Sequence, residues 1–131
     1  MKNEELEKVL VVAEQWTKEP FDAETRAAVQ AMIDAEDKTE LIDSFYRTLE
    51  FGTGGLRGTM GPGTNRVNQY VVAQATQGYA NYLLKVQKGG GFETLKGDTV
   101  SVVVGHDCRN NGRLYAETVA KVFAANGIKV Y

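Results

Sequence analysis

Apolar positions in the first fifty residues recur every three or four places, and that period predicts three helices. Leu6, Leu10, Ala13 and Trp16 form a stripe that predicts an amphipathic helix over residues 3–16. Pro20 breaks the pattern. Asp22 then supplies an N-cap for a second helix through Ala35, with Val29, Met32 and Ile33 inward. Asp37, with Glu40 three residues later, has capping-box spacing, and Leu41, Ile42, Phe45 and Leu49 predict a third stripe.

From Phe51 the helical period is lost. Gly52, Gly54, Gly55, Gly58, Gly61 and Gly63 crowd a stretch too rich in backbone freedom for helix. It predicts a loop, a short strand around Leu56 to Met60 and a tight Gly61-Pro62-Gly63 turn. Asn68 then opens a helix whose Val72, Ala75, Tyr79, Tyr82 and Leu83 share a face, followed by a polar, Gly-rich loop over 88–98. The β-branched run Val100 to Val104 predicts a strand buried on both faces. A last helix carries Tyr115, Val119, Val122 and Phe123 inward, has Gly127 at C′, and leads into a second strand. Strand, helix and strand make a β-α-β unit with an expected right-handed crossover. The class is therefore α/β, with a helical N-terminal extension over 1–50 and an α/β region over 51–131. Stopping at Tyr131, inside a fresh strand, predicts an incomplete domain with an open sheet edge and apolar surface, and hence self-association.

Composition narrows the classes. Hydrophobic residues make up 43% and charged residues 24%, which suits a globular domain and not a disordered chain. A formal charge of −2 with both signs interspersed offers no field to hold nucleic acid or an acidic membrane. Lys85, Lys88 and Lys96 read as a solvated loop. The apolar run Val9 to Ala13 is too short for a signal sequence or a span. Cys108 is the only cysteine, which excludes an internal disulfide and points to a reducing, cytoplasmic setting.

Two glycine-rich segments carry the candidate chemistry. In Phe51-Gly52-Thr53-Gly54-Gly55-Leu56-Arg57-Gly58, glycines allow a ligand close to the backbone, free N–H groups can cradle an anion, and Arg57 offers a planar fork to phosphate oxygens. The spacing is not that of a dinucleotide fingerprint, it follows a helix, and no P-loop ending is present. A turn-rich connection with a surface arginine explains the same residues. The second segment, Val104-Gly105-His106-Asp107-Cys108-Arg109-Asn110-Asn111-Gly112, follows the strand and precedes a helix, where open α/β sheets bind anions. Asp107 is placed to orient Arg109, and Asn111 to cap the helix; the alternative is an Asp107–Arg109 ion pair of purely structural purpose, stitching the strand end to a neighbouring loop. His106 has no partner carboxylate or nucleophile assigned by sequence, and only Arg109 is near enough to activate Cys108.

In this order and spacing, Leu49 to Gly58, Gly61 to Asn68 and the G-x-D-x-R segment Gly105 to Arg109 resemble the α-D-phosphohexomutase family, which includes long bacterial phosphoglucomutase/phosphomannomutase proteins and phosphopentomutases. The likeness runs from about Glu14 to the end. It implies the opening of a four-domain enzyme whose first domain has a mixed sheet between helices. There a phosphoserine, with Mg2+ held by an aspartate-rich loop, exchanges phosphate with hexose or pentose phosphates through a bisphosphorylated sugar, glucose 1,6-bisphosphate being the type of activator. The resemblance places Arg57 on phosphate, with Thr53, Gly54 and Gly55 beside it, and Arg109 near the catalytic loop, supported by Asp107 and Asn111. The T-A-S-H-N-P-like phosphoserine loop and the D-G-D-type metal loop are absent from these 131 residues. Neither catalytic nor metal-ligating residues are therefore assigned, and the chain alone is expected to be inactive and to need the remaining mutase domains. A stand-alone phosphate- or nucleotide-binding module and a structural interaction domain remain alternatives.

Overall fold

The computed structural model describes residues 3–52, 55–87, 100–107 and 111–131. The chain divides into two compact units, Met1–Asn68 and Gln69–Tyr131.

In the first unit three helices pack on one another: α1 (Asn3–Gln15), α2 (Ala23–Asp34) and α3 (Thr39–Phe45). Their buried stripe is Val9, Ala13 and Trp16 on α1 and just beyond it, Val29 and Met32 on α2, and Leu41 and Phe45 on α3. Val9 takes the buried place expected of Leu10, which is only half-buried. Trp16 stacks on Phe21 at 4.4 Å between centroids and meets Phe45 edge-on at 5.6 Å. As the sequence predicts, Asp22 caps α2, its carboxylate accepting from the Thr25 amide at 3.0 Å and the Thr25 hydroxyl at 2.6 Å. Such a cap contributes about 1 kcal/mol.

Helix α3 departs from its expected form at both ends. The capping box does not form, because Asp37 lies one residue before the Lys38 N-cap position. Its carboxylate accepts instead from the amide (3.0 Å) and hydroxyl (2.6 Å) of Thr39, a local turn that competes with capping. Those donors hold the Asp37 carboxyl below the usual carboxylate range. At the other end the helix stops at Phe45, and Leu49 leaves it to donate its amide to Thr64 O at 2.8 Å.

Beyond α3 the expected single strand is a small hairpin, β1 (Phe51–Gly52) antiparallel to β2 (Gly55–Leu56), followed by a bridge between Met60 and Val67. The Gly-Pro-Gly turn is present, with Gly61 at φ +154° and Gly63 at φ +128°.

In the second unit α4 (Gln69–Lys85) packs on α5 (Gly112–Ala125), while β3 (Ser101–Val102) pairs in parallel with β4 (Lys129–Val130). Ala80, Val100, Phe123 and Ile128 form the core, flanked by Leu83, Leu84, Val102, Val104, Val119 and Val130. Helix α4 turns Val71, Thr76 and Ala80 inward and leaves Tyr79 and Tyr82 about half-exposed, so its buried face is rotated from the expected one. Tyrosine tolerates that position because its ring is apolar and its tip wet. Strand β3 is buried on one face only. Val100 is 3% exposed and Val103 83%. The alternation belongs to a sheet with one open face, in contrast to the doubly covered strand that the valine run predicts. The loop over 88–98 lies outside the described residues.

Candidate functional site

Arg57 stands directly after β2, on the short arm between the hairpin and the Met60 bridge. Its side chain is exposed, and among the described residues it makes no hydrogen bond or ion pair. Three other described arginines are committed, while Arg26 keeps a buried Nε without a hydrogen-bond partner. Arg66 bonds to the carboxylate and backbone carbonyl of Asp43, Arg47 bonds to Asn65 and lies over the Tyr46 ring, and Arg113 pairs with Glu117. Gly55 has φ +105°, a conformation that favours glycine, and the space where a Cβ would stand is open for 4 Å. A guanidinium without a partner among the described residues, two positions after a glycine with open space at its Cα, is donor chemistry of the kind that can meet an anion. Thr53 and Gly54 lie outside the described residues.

The arm is tied to its neighbours at Gly58 and Thr59. A Cβ on Gly58 would stand 3.0 Å from Leu49 Cδ1 and 3.6 Å from Val67 Cγ2. The Val67 amide donates to Thr59 O at 2.8 Å, and the Gly61 amide returns a bond to Val67 O at 3.1 Å. No sequence pattern points to these supports or to Asp43, Ser44, Arg47 and Asn65 behind them; the nearest signal is the Gly-Pro-Gly-Thr-Asn-Arg run itself.

The second motif leaves the end of β3 and reaches α5. Gly105, His106 and Asp107 are exposed, and His106 Nδ1 lies 3.0 Å from Asp107 O. A Cβ on Gly112 would approach Asp107 O to 3.0 Å, so glycine there lets the start of α5 sit close under the loop. Asn111 occupies the N-cap position, but not in the expected manner. Its backbone is left-handed (φ 61°) and its side chain makes no capping bond, while its carbonyl accepts from the Tyr115 amide at 2.9 Å. Cys108, Arg109 and Asn110 lie outside the described residues, and with them the Asp107–Arg109 pairing. Arg57 belongs to the first unit, and Asp107 and Asn111 to the second.

Amides and a guanidinium suit an anion, and the donor set does not suit magnesium. Among the described residues no three His, Cys, Asp or Glu side chains come together. Among the described residues no helix is long and apolar enough to cross a membrane.

Residues 48–131 match the family model for the phosphoglucomutase/phosphomannomutase alpha/beta/alpha domain I. The chain is 36% identical over 120 residues to a probable phosphoribomutase of Schizosaccharomyces pombe, covering 92% of this chain and 19% of that protein. It is 36% identical over 123 residues to the phosphopentomutase of Homo sapiens, covering 89% and 19%. Against a phosphoglucomutase of Staphylococcus haemolyticus it is 32% identical over 103 residues, covering 79% and 17%. The chain thus spans about a fifth of the length of these curated relatives. No solved structure matches it. The chain belongs to the phosphoglucomutase/phosphomannomutase family, and its residues 48–131 fall in that family's first, α/β/α domain.

Proposed function

We propose that this chain contributes part of the phosphate-binding wall of a phosphosugar mutase, with Arg57 as its principal ligand-contacting residue. The supporting observation is the exposed side chain of Arg57, unpaired among the described residues and two positions after Gly55, whose Cα faces open space. Thr53, Gly54 and Gly55 contribute backbone or hydroxyl donors to the same anion, and Arg109 meets phosphate from the second motif, with Asp107 and Asn111 shaping its loop. A planar fork that is not spent on an internal partner is available to neutralise charge on phosphate oxygens, and phosphoryl transfer depends on such charge stabilisation.

For the whole protein the reading is exchange of phosphate between positions of a hexose or pentose monophosphate, since relatives are named for both glucose and pentose substrates. A phosphoserine, Mg2+ and a glucose 1,6-bisphosphate-type activator belong to that proposal, as does a cytoplasmic setting. So do the domain limits of 1–50 for the helical extension and 51–131 for the incomplete first domain, in keeping with a family match that opens at 48.

Calorimetric titration of the chain with glucose 1,6-bisphosphate tests the site. Arg57→Ala is expected to weaken binding by about 10- to 100-fold, the worth of a charge-assisted hydrogen bond or a bidentate pair. Absence of binding, or equal binding by the variant, overturns the reading; a preference for ATP favours a nucleotide-binding module. A coupled assay is expected to show no conversion of glucose 1-phosphate to glucose 6-phosphate by this chain alone.

A further inference from the structure

The family match begins at residue 48, yet the arm that carries Arg57 is fastened to residues that precede it. Helix α3 ends with backbone carbonyls that have no partner further along the helix. Asn65 takes two of them: its side-chain Nδ2 donates to Asp43 O at 2.9 Å and its amide to Ser44 O at 2.9 Å. Its Oδ1 accepts from Arg47 Nε at 3.2 Å, and the residue is only 8% exposed. Thr64 adds a hydroxyl bond to Arg47 O at 2.7 Å, and Arg66 places its charge on Asp43 at the negative end of the helix. Gly63 lies flat on the buried Ser44, where a Cβ would stand 2.5 Å from Ser44 O. Asn68 closes the turn from the other side by donating to Gly61 O (2.8 Å) and Gly63 O (3.0 Å).

This clasp reaches Arg57 through a short chain of contacts. Val67, two residues after Asn65, holds Thr59 by its amide and flanks Gly58 with its side chain. Leu49, tied to Thr64, flanks Gly58 from the α3 side. Gly58 and Thr59 follow Arg57 directly.

We infer that Asn65, docked on the C-terminal end of α3, is a positioning residue for Arg57, so that the helical extension before the family domain sets the geometry of the phosphate-binding arm. The inference rests on the proposed role of Arg57, and its test separates the two. Asn65→Asp is isosteric, keeps the acceptor for Arg47 and turns an oxygen toward Asp43 O. In the 131-residue chain, at a temperature where circular dichroism shows full folding, it is expected to weaken glucose 1,6-bisphosphate binding at least 10-fold. The milder Thr64→Val is expected to cost several-fold and keeps the test open if Asn65→Asp does not fold. Val29→Ala, a core change in α2, controls for lost stability and is expected to bind as the parent does.

A double-mutant cycle supplies the readout that a purely structural role would not move. In the Arg57→Ala background Asn65→Asp is expected to add nothing, because the group it positions is gone. The Nε–Hε resonance of Arg57 gives a ligand-free readout, expected to shift in Asn65→Asp and Thr64→Val but not in Val29→Ala. Parent-like affinity and an unmoved Arg57 resonance in the folded clasp variants overturn the inference while leaving the reading of Arg57 intact. Equal binding with and without Arg57 overturns that reading, and the resonance alone then decides the clasp.

Discussion

Gly58 and Gly63 are interchangeable as letters in a glycine-rich run, and the surroundings of each alpha carbon separate them. At Gly58 a methyl group would meet the ends of Leu49 and Val67 side chains at 3.0–3.6 Å, and such ends can yield. At Gly63 it would meet backbone, Ser44 O at 2.5 Å, in a conformation (φ +128°) that L-residues rarely adopt. Strain and overpacking then add, and Gly63→Ala is expected to cost about 2–5 kcal/mol. Gly58→Ala is expected to cost about 1 kcal/mol or less. Urea unfolding followed by the fluorescence of Trp16, which lies in the same unit, measures both. Equal midpoints for the two variants would show that Gly63 is not held against α3 as described.

At the scale of elements, the best-formed terminus is that of α5. The Gly127 amide donates to Ala124 O at 3.0 Å and the Ile128 amide to Phe123 O at 3.0 Å, the two bonds of a Schellman motif, with Gly127 at φ +76°. This turn sends the chain into β4 and places Ile128 in the core with Phe123. Gly127→Ala is expected to destabilise the second unit by about 1–2 kcal/mol, and Gly127→Asn by less, because asparagine tolerates the left-handed region. Chemical denaturation monitored by amide exchange in α5 distinguishes them. That terminus was readable in the sequence because a helix stop is written in adjacent residues, as was the Asp22 cap of α2. The end of α3 was not readable. Its carbonyls are satisfied by Asn65, some twenty residues downstream, and the pull of Thr64 on Leu49 overrides a local helical stripe. The open face of β3 escaped for the same reason, since a valine run states that a strand is apolar but not how many faces are covered. At the candidate site, Arg57 could be picked out by its residue type and setting. Asn65 could not, because it acts through two helix carbonyls that have no sequence signature.

For the molecule as a whole, the second unit presents apolar surface that its own residues do not cover. Val103 is 83% exposed, Leu114 42% and Tyr131 64%, and among the described residues β3 pairs with β4 and no other strand. An uncovered strand with unspent hydrogen-bonding groups is a template for a second chain, and the opposing force is electrostatic repulsion between like-charged copies. That repulsion is weak here, with a formal charge of −2 at pH 7, and vanishes near the sequence isoelectric point of about 5.4. Self-association in concentrated solution is therefore expected, growing as pH falls from 7 toward 5.4 and receding as pH rises above 7. Val103→Glu places a carboxylate on the open face and adds a negative charge, so it is expected to lower the light-scattering mass toward that of a monomer at neutral pH. Its effect should shrink as the pH approaches the carboxylate range and the new group takes up a proton. A parent chain that stays monomeric throughout this pH range at high concentration would show that the exposed face of β3 is not adhesive. An unchanged mass in Val103→Glu would instead place the contact elsewhere on the molecule.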